Sequence, residues 1–211
     1  MRIPKIVFKL VGAGLMAALL VPLYAVADDA PAPTPVRVRG TVESFQGQTL
    51  IVKARNGDTD TIALPQDSNV STVKKVGLGD IKTGDFVGAA AIPGANGHLK
   101  ALELHLFPEA MRGAGEGFRP FDLQPNSSMT NATVGQITAM SESGRTLTMT
   151  YKDGQQIVDV PPDVPVVTFA QGDASMLQPG KAIIVFAAKQ ADGAMTARNI
   201  VVESGGVKPP M

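Results

Sequence analysis

Two observations predict an all-β fold in which one small domain occurs twice: a gap-free internal repeat, and short alternating apolar runs separated by turn residues. At a constant offset of 96, Pro65, Asp67, Val70, Thr72, Gly84, Ala91, Ala95, Gly97 and Ala101 recur as Pro161, Asp163, Val166, Thr168, Gly180, Ala187, Ala191, Gly193 and Ala197. Conservative pairs such as Val87 with Ile183 and Leu104 with Ile200 lie between these identities, as a duplication requires. Upstream, Gly40-Thr41-Val42 answers Gly135-Gln136-Ile137, and Leu50 answers Leu147. The copies occupy 36–107 and 132–204, with a connector at 108–131.

The first residues predict export. Arg2, Lys5 and Lys9 precede an apolar stretch from Leu10 to Leu23, and Ala25-Val26-Ala27 forms a small-x-small exit before Asp28-Asp29. A positive head, an apolar body and such an exit make a secretory signal peptide over 1–27, and hence a periplasmic or secreted mature chain. The alternative is a retained anchor, which Gly12, Ala13, Gly14 and Pro22 weaken as a spanning helix. Residues 28–35, rich in Pro and Ala, read as a disordered lead-in, and 205–211 as a loose tail.

In the first copy, strands are expected at 36–45, 49–54, 59–64, 86–92 and 99–107. Gln46-Gly47 and Asn56-Gly57 supply hairpin turns, the latter predicted to place both central residues at positive φ. The second copy repeats the plan, with Asp153-Gly154 and Asp192-Gly193 at equivalent turns. Between the third and fourth strands, Asp80–Gly84 and Ala174–Gly180 read as single helical turns stopped by glycine, with Ile81 and Leu177 as candidate barrel plugs. Five short strands with one longer link predict two tandem, small five-stranded Greek-key barrels of the OB-like type.

The connector is not a featureless tether. Flexible linkers are Gly/Ser-rich, whereas this one carries Met111, Arg112, Glu116, Phe118, Arg119, Phe121 and Leu123 among its glycines and prolines, and it is expected to lie on the barrels.

Charge narrows the function classes. Lysine plus arginine equal aspartate plus glutamate at 19 each, and three of the bases but none of the acids fall within 1–27, so the remainder is mildly acidic. A nucleic-acid or anionic-lipid surface needs concentrated basic charge, so neither partner is expected. The absence of cysteine removes disulfides, zinc–thiolate sites and thiol chemistry together.

Catalytic signals are sparse. His98 sits in a turn and reads as surface; His105 lies on a strand where Leu102, Leu104 and Leu106 alternate with Ala101, Glu103 and His105. Glu103 and His105 therefore share the face opposite the leucines and, with Glu109, Met111 and Glu116 converging, form the candidate metal set. Met140, Met149 and Met195 fall on core positions, while Met129 in the connector is a weaker thioether candidate. No Gly-x-Ser-x-Gly or histidine-based triad exists; a hydrolase would have to face two of Glu103, Glu109, Glu116 and Asp122 together. Gly113-Ala114-Gly115-Glu116-Gly117 lacks the Lys-Ser/Thr of a phosphate loop. Most aromatics, including Phe107, Phe169 and Phe186, read as core. Phe118 and Phe121, flanked by Arg112 and Arg119, form the best candidate contact patch.

The run Phe107-Pro108-Glu109-Ala110-Met111-Arg112-Gly113-Ala114-Gly115-Glu116-Gly117, followed by Arg119-Pro120-Phe121-Asp122-Leu123 and Met129-Thr130-Asn131-Ala132-Thr133-Val134, resembles an exported proteobacterial family with twice-repeated OB-like domains of unknown function. Some of its members carry the label metal ABC transporter permease. Members often have His and Trp where this chain has Phe118 and Phe121, a departure that removes an imidazole from position 118. The expectation is a non-enzymatic periplasmic binding or accessory protein without a cofactor, contacting an unknown protein or small molecule through its connector. The alternatives are a metal-handling accessory to a transporter and a hydrolase using connector carboxylates.

Overall fold

The computed structural model describes residues 31–139 and 144–209. The signal peptide expected at 1–27, the first part of the lead-in, Met140 and residues 210–211 lie outside the described residues. Thirteen strands follow in chain order: β1 Thr34–Gln46, β2 Thr49–Ala54, β3 Thr59–Ala63, β4 Asn69–Lys75, β5 Phe86–Pro93, β6 Leu99–Leu106, β7 Gly117–Pro120, β8 Ser128–Ala139, β9 Arg145–Tyr151, β10 Gly154–Val160, β11 Val166–Gln171, β12 Ala182–Lys189 and β13 Met195–Val202. The chain is all-β: the remaining regular elements are single 3-10 turns, and among the described residues no helix is long and apolar enough to cross a membrane. The offset of 96 carries β5 onto β12 and β6 onto β13 end to end.

β1, β2, β3, β13 and β12 close into one five-stranded barrel, antiparallel except at the parallel β3–β13 junction. β8, β9, β10, β6 and β5 close a second in the same order, again with one parallel junction, β10–β6. The repeats are contiguous in sequence, but the first barrel is not, and neither barrel coincides with one repeat. Each takes three strands from one copy and two from the other, a difference from the expected division at 36–107 and 132–204. Leu78 to Val160 supplies one barrel whole, and the flanking stretches supply the other.

β4 and β11, which lie within the links expected between third and fourth strands, carry the chain between barrels. They pair antiparallel with each other, while β4 runs parallel to β13 and β11 parallel to β6. The exchange has a physical basis. Equivalent copies offer equivalent sockets, and crossing adds the β4–β11 ladder. It also adds a cluster of Val73, Val167, Ile184 and Val201, with Phe169 and Val207 packed against it. Among the described residues every strand except β7 pairs with at least two others, and unpaired edges are the liability of small sheets.

Each barrel has its own core. Val42, Leu50, Val52, Ile62, Ile183, Val185, Ile200 and Val202 fill the first; Val87, Ala89, Leu104, Val134, Leu147, Met149 and Val158 fill the second. Leu177 is buried in the first core and Ile81 in the second, so each plug serves the barrel built mainly from the other copy. Burying such a side chain stabilises by about 1.5–3 kcal/mol. The helical turns lie at Leu78–Asp80 and Ala174–Met176, and Gly84 and Gly180 do not stop them: each sits at φ 93° or 85° in a separate tight turn that follows, closed by Asp85 N–H to the Lys82 carbonyl and Lys181 N–H to the Gln178 carbonyl.

Three local readings change. At Asn56-Gly57 only the glycine has positive φ, and the Asn56 side chain accepts from the Asp58 N–H at 3.1 Å, making a four-residue loop instead of a two-residue turn. On β6 the alternation breaks at a bulge opposite Ala90 and Ala91. Ala101 takes the core position and Leu102 turns to an outer depression, although Glu103 and His105 still share a face. The tail is packed: Ser204 and Val207 form a bridge, and Pro209 is buried.

β1 and β8 are the longest strands because each serves two partners. β1 pairs with β12 over its first half and with β2 over its second, bending near Gly40, where a Cβ would stand 2.1 Å from the Lys53 carbonyl oxygen. β8 likewise divides between β5 and β9, and the connector's β7 covers its remaining edge at Ser128–Asn131.

Candidate functional site

The barrels' outer strand faces meet along the β4–β11 seam, and the connector arches over part of it. On β1, Val36 and Val38 point into the core, so alternation turns Arg37 and Arg39 outward. The same rule turns Phe186 out of β12, Ser71 out of β4, Phe169 out of β11, His105 out of β6 and Met129 and Asn131 out of β8. These side chains, with Met111, Ala114, Arg119 and Phe121 from the connector and Pro209 from the tail, line one cavity of about 280 Å³.

Its floor is aromatic. Phe107 lies 5.4 Å from Phe169 and 5.3 Å from Phe86, and His105 meets Phe169 edge-on at 5.5 Å. Gly88 makes this packing possible, since a Cβ there would come within 2.8 Å of Asn131 Oδ1 and 3.0 Å of the Phe107 ring. Phe121 forms part of the roof, with the Arg37 and Arg39 guanidiniums 5.0 and 5.1 Å from its centroid. Arg37 also stands 5.2 Å from the Phe186 ring.

The rim is cationic. Arg37 Nη1 donates to Asp122 Oδ1 at 2.6 Å, and Arg39 donates from Nη1 and Nη2 to both Asp122 oxygens. Burial pushes the Asp122 carboxyl up, but the Arg39 hydrogen bond and the charges of Arg39 and Arg37 outweigh it and hold it below the usual carboxylate range. One carboxylate thus serves two guanidiniums. Arg119 donates to the Gly115 carbonyl at 2.6 Å and has no carboxylate partner among the described residues; burial and the charge of Arg37 lower its pKa. Among the described residues no Asp or Glu lines the cavity.

The candidate contact patch divides. Arg119 and Phe121 line the cavity, whereas Phe118 points away on β7 at 46% exposure. Arg112 pairs with Glu109 and donates to the Gly84 carbonyl, outside the cavity.

The candidate metal set also divides. Glu103, only 5% exposed at its side chain, accepts from or donates to His105 Nε2 across 3.2 Å. Met111 and His105 line the cavity, but Glu109 is engaged by Arg112, which holds it below the usual carboxylate range, and Glu116 accepts from the Lys152 N–H. Among the described residues no three His, Cys, Asp or Glu side chains gather in a metal-sized group. The four carboxylates named for hydrolysis do not face one another: Glu103 meets an imidazole, Glu109 and Asp122 meet guanidiniums, and Glu116 meets a backbone amide. His98, read as plain surface, lies 3.0 Å from Asp159, where β6 and β10 close the second barrel.

The residues missed from sequence are Arg37, Arg39, Phe107, Phe169 and Phe186. The alternation Val36-Arg37-Val38-Arg39 carried the signal for the arginines, whereas Phe186 sits in the all-apolar run Ala182–Ala188 that conceals which face is outward. A larger depression of about 920 Å³ borders the cavity at Pro209, but loop residues such as Pro162, Val164 and Gly206 wall much of it, and its charges are mixed. No family model, curated protein or solved structure matches this chain.

Proposed function

We propose that this chain is an exported, non-enzymatic binding module whose ligand surface is the cavity beneath the connector, carried on paired barrels of the OB-like type. The strand order shared by the two barrels, three meandering strands closed by an antiparallel pair through one parallel junction, supports the OB-like reading. The observation that carries the functional reading is the cavity itself. It is concave and largely apolar, with a few convergent polar groups, as small-ligand sites are. The carboxylates around it are each committed to a cation, an imidazole or a backbone amide, which supports binding over acid–base chemistry.

The test compares the intact protein with an Arg119→Gln/Phe121→Ala variant after incubation in periplasmic extract. Retained small molecules and proteins are released by denaturation and identified by mass spectrometry. A species held by the intact protein and lost from a folded variant supports the reading, and identical retention by both overturns it.

A further inference from the structure

We propose that the cavity binds a small aromatic carboxylate, with its ring against Phe107 and Phe169 and its anionic group at Arg119 and Arg37. This rests on the reading of the cavity as the ligand surface and adds the chemical class.

Size comes first. At about 280 Å³ the space falls just below the usual range for small-molecule pockets and holds a one- or two-ring compound. A peptide or oligonucleotide would need an open groove.

Charge comes second. Arg37, Arg39 and Arg119 all line the cavity, and among the described residues the only acid that neutralises any of them, Asp122, is shared between Arg37 and Arg39. Cations crowded at an apolar surface are costly unless an anion joins them. A guanidinium fork matches a carboxylate with two parallel hydrogen bonds.

The walls come third. Phe107 and Phe169 are adjoined on the same face by Ile184 and Val201, a surface that a planar ring covers and a hydrated inorganic anion does not. Arg37 and Arg39 already stack on Phe121, so the cations and the aromatic surface meet within one site.

The experiment is calorimetric titration of the mature protein with 2-naphthoate, its uncharged isostere 2-naphthamide, and inorganic phosphate. The expected result is one naphthoate site per chain and naphthamide weaker by about tenfold, the difference between a charge-assisted and a neutral hydrogen bond. Arg119→Gln is expected to weaken naphthoate by about tenfold while leaving naphthamide unchanged, and Phe169→Leu to weaken both. Thermal melts of each variant verify folding, and Arg37→Gln replaces Arg119→Gln if the latter does not fold.

Equal affinity for acid and amide, indifference to both arginine substitutions, or phosphate competing as well as naphthoate would each overturn the proposal. Absence of naphthoate binding also overturns it. If the extract experiment still yields a species dependent on Arg119 and Phe121, the binding reading stands and only the ligand class falls.

Discussion

Asp122→Asn tests whether the connector is clasped to β1 by charge. The substitution keeps the shape but removes the only counter-ion that Arg39 has among the described residues; the Arg39 side chain is 7% exposed, and its Nε has no hydrogen-bond partner among them. Breaking a fully buried pair costs about 3–5 kcal/mol, and an exposed pair contributes up to about 1 kcal/mol. Asp122 is itself 54% exposed, so solvent screens the pair and the expected loss is about 2 kcal/mol. For a chain of this size that lowers Tm by about 4–8 °C.

Because the folded Asp122 titrates below its unfolded value, its contribution is complete above about pH 4 and is lost as pH falls through the folded pKa. Calorimetric melts should therefore show the wild type and the variant well separated at pH 7 and converging in strong acid. An unchanged Tm at pH 7, or a separation that persists undiminished in strong acid, would refute the clasp.

Three further outcomes follow from the packing. Ile81→Ala should cost about 2–5 kcal/mol and speed hydrogen exchange in β8–β10 more than in β1–β3, with Leu177→Ala doing the reverse; the opposite pattern would contradict the exchange of strands. Thr34→Cys with Lys189→Cys, partners across β1 and β12 in a chain otherwise free of cysteine, should give an intramolecular disulfide on a non-reducing gel, whereas only dimers or free thiols would argue for one barrel per repeat. Gly88→Ala should destabilise by about 1–3 kcal/mol by displacing Phe107 and Asn131, and an unperturbed melt would show that the aromatic floor is loosely packed.

The duplication, the hairpins and the exact correspondence of β5 with β12 and β6 with β13 were legible because core-facing residues repeat at a fixed offset. The exchange was not, for the same reason. When both copies present equivalent edges, no residue states whether β12 returns to its own three strands or to those of the other copy. β4 escaped notice because Val70 packs in a barrel core while Val73, on the opposite face, packs in the seam, leaving no alternation of apolar with polar residues. The connector stood out through Phe121 and Arg119, but their partners Arg37 and Phe169 lie far away in sequence and only folding brings them together.

The cavity sits where the duplication has stopped being symmetric. Reading across the offset of 96, His105 is answered by Val201, Phe107 by Glu203, Phe169 by Val73 and Phe186 by Ala90. Each of these four aromatic side chains thus has a smaller or non-aromatic counterpart in the other copy. The cavity takes residues from both copies, His105 together with its counterpart Val201, so it straddles the seam as one surface; the single connector roofs it, and the aromatic side chains stand beneath that roof. The outward arginines of β1 complete the asymmetry, since Asp122 of the connector reaches them from the barrel it belongs to. Function in this chain is therefore sought where the repeat fails to repeat, and a second, equal ligand site related to the first by the duplication is not expected.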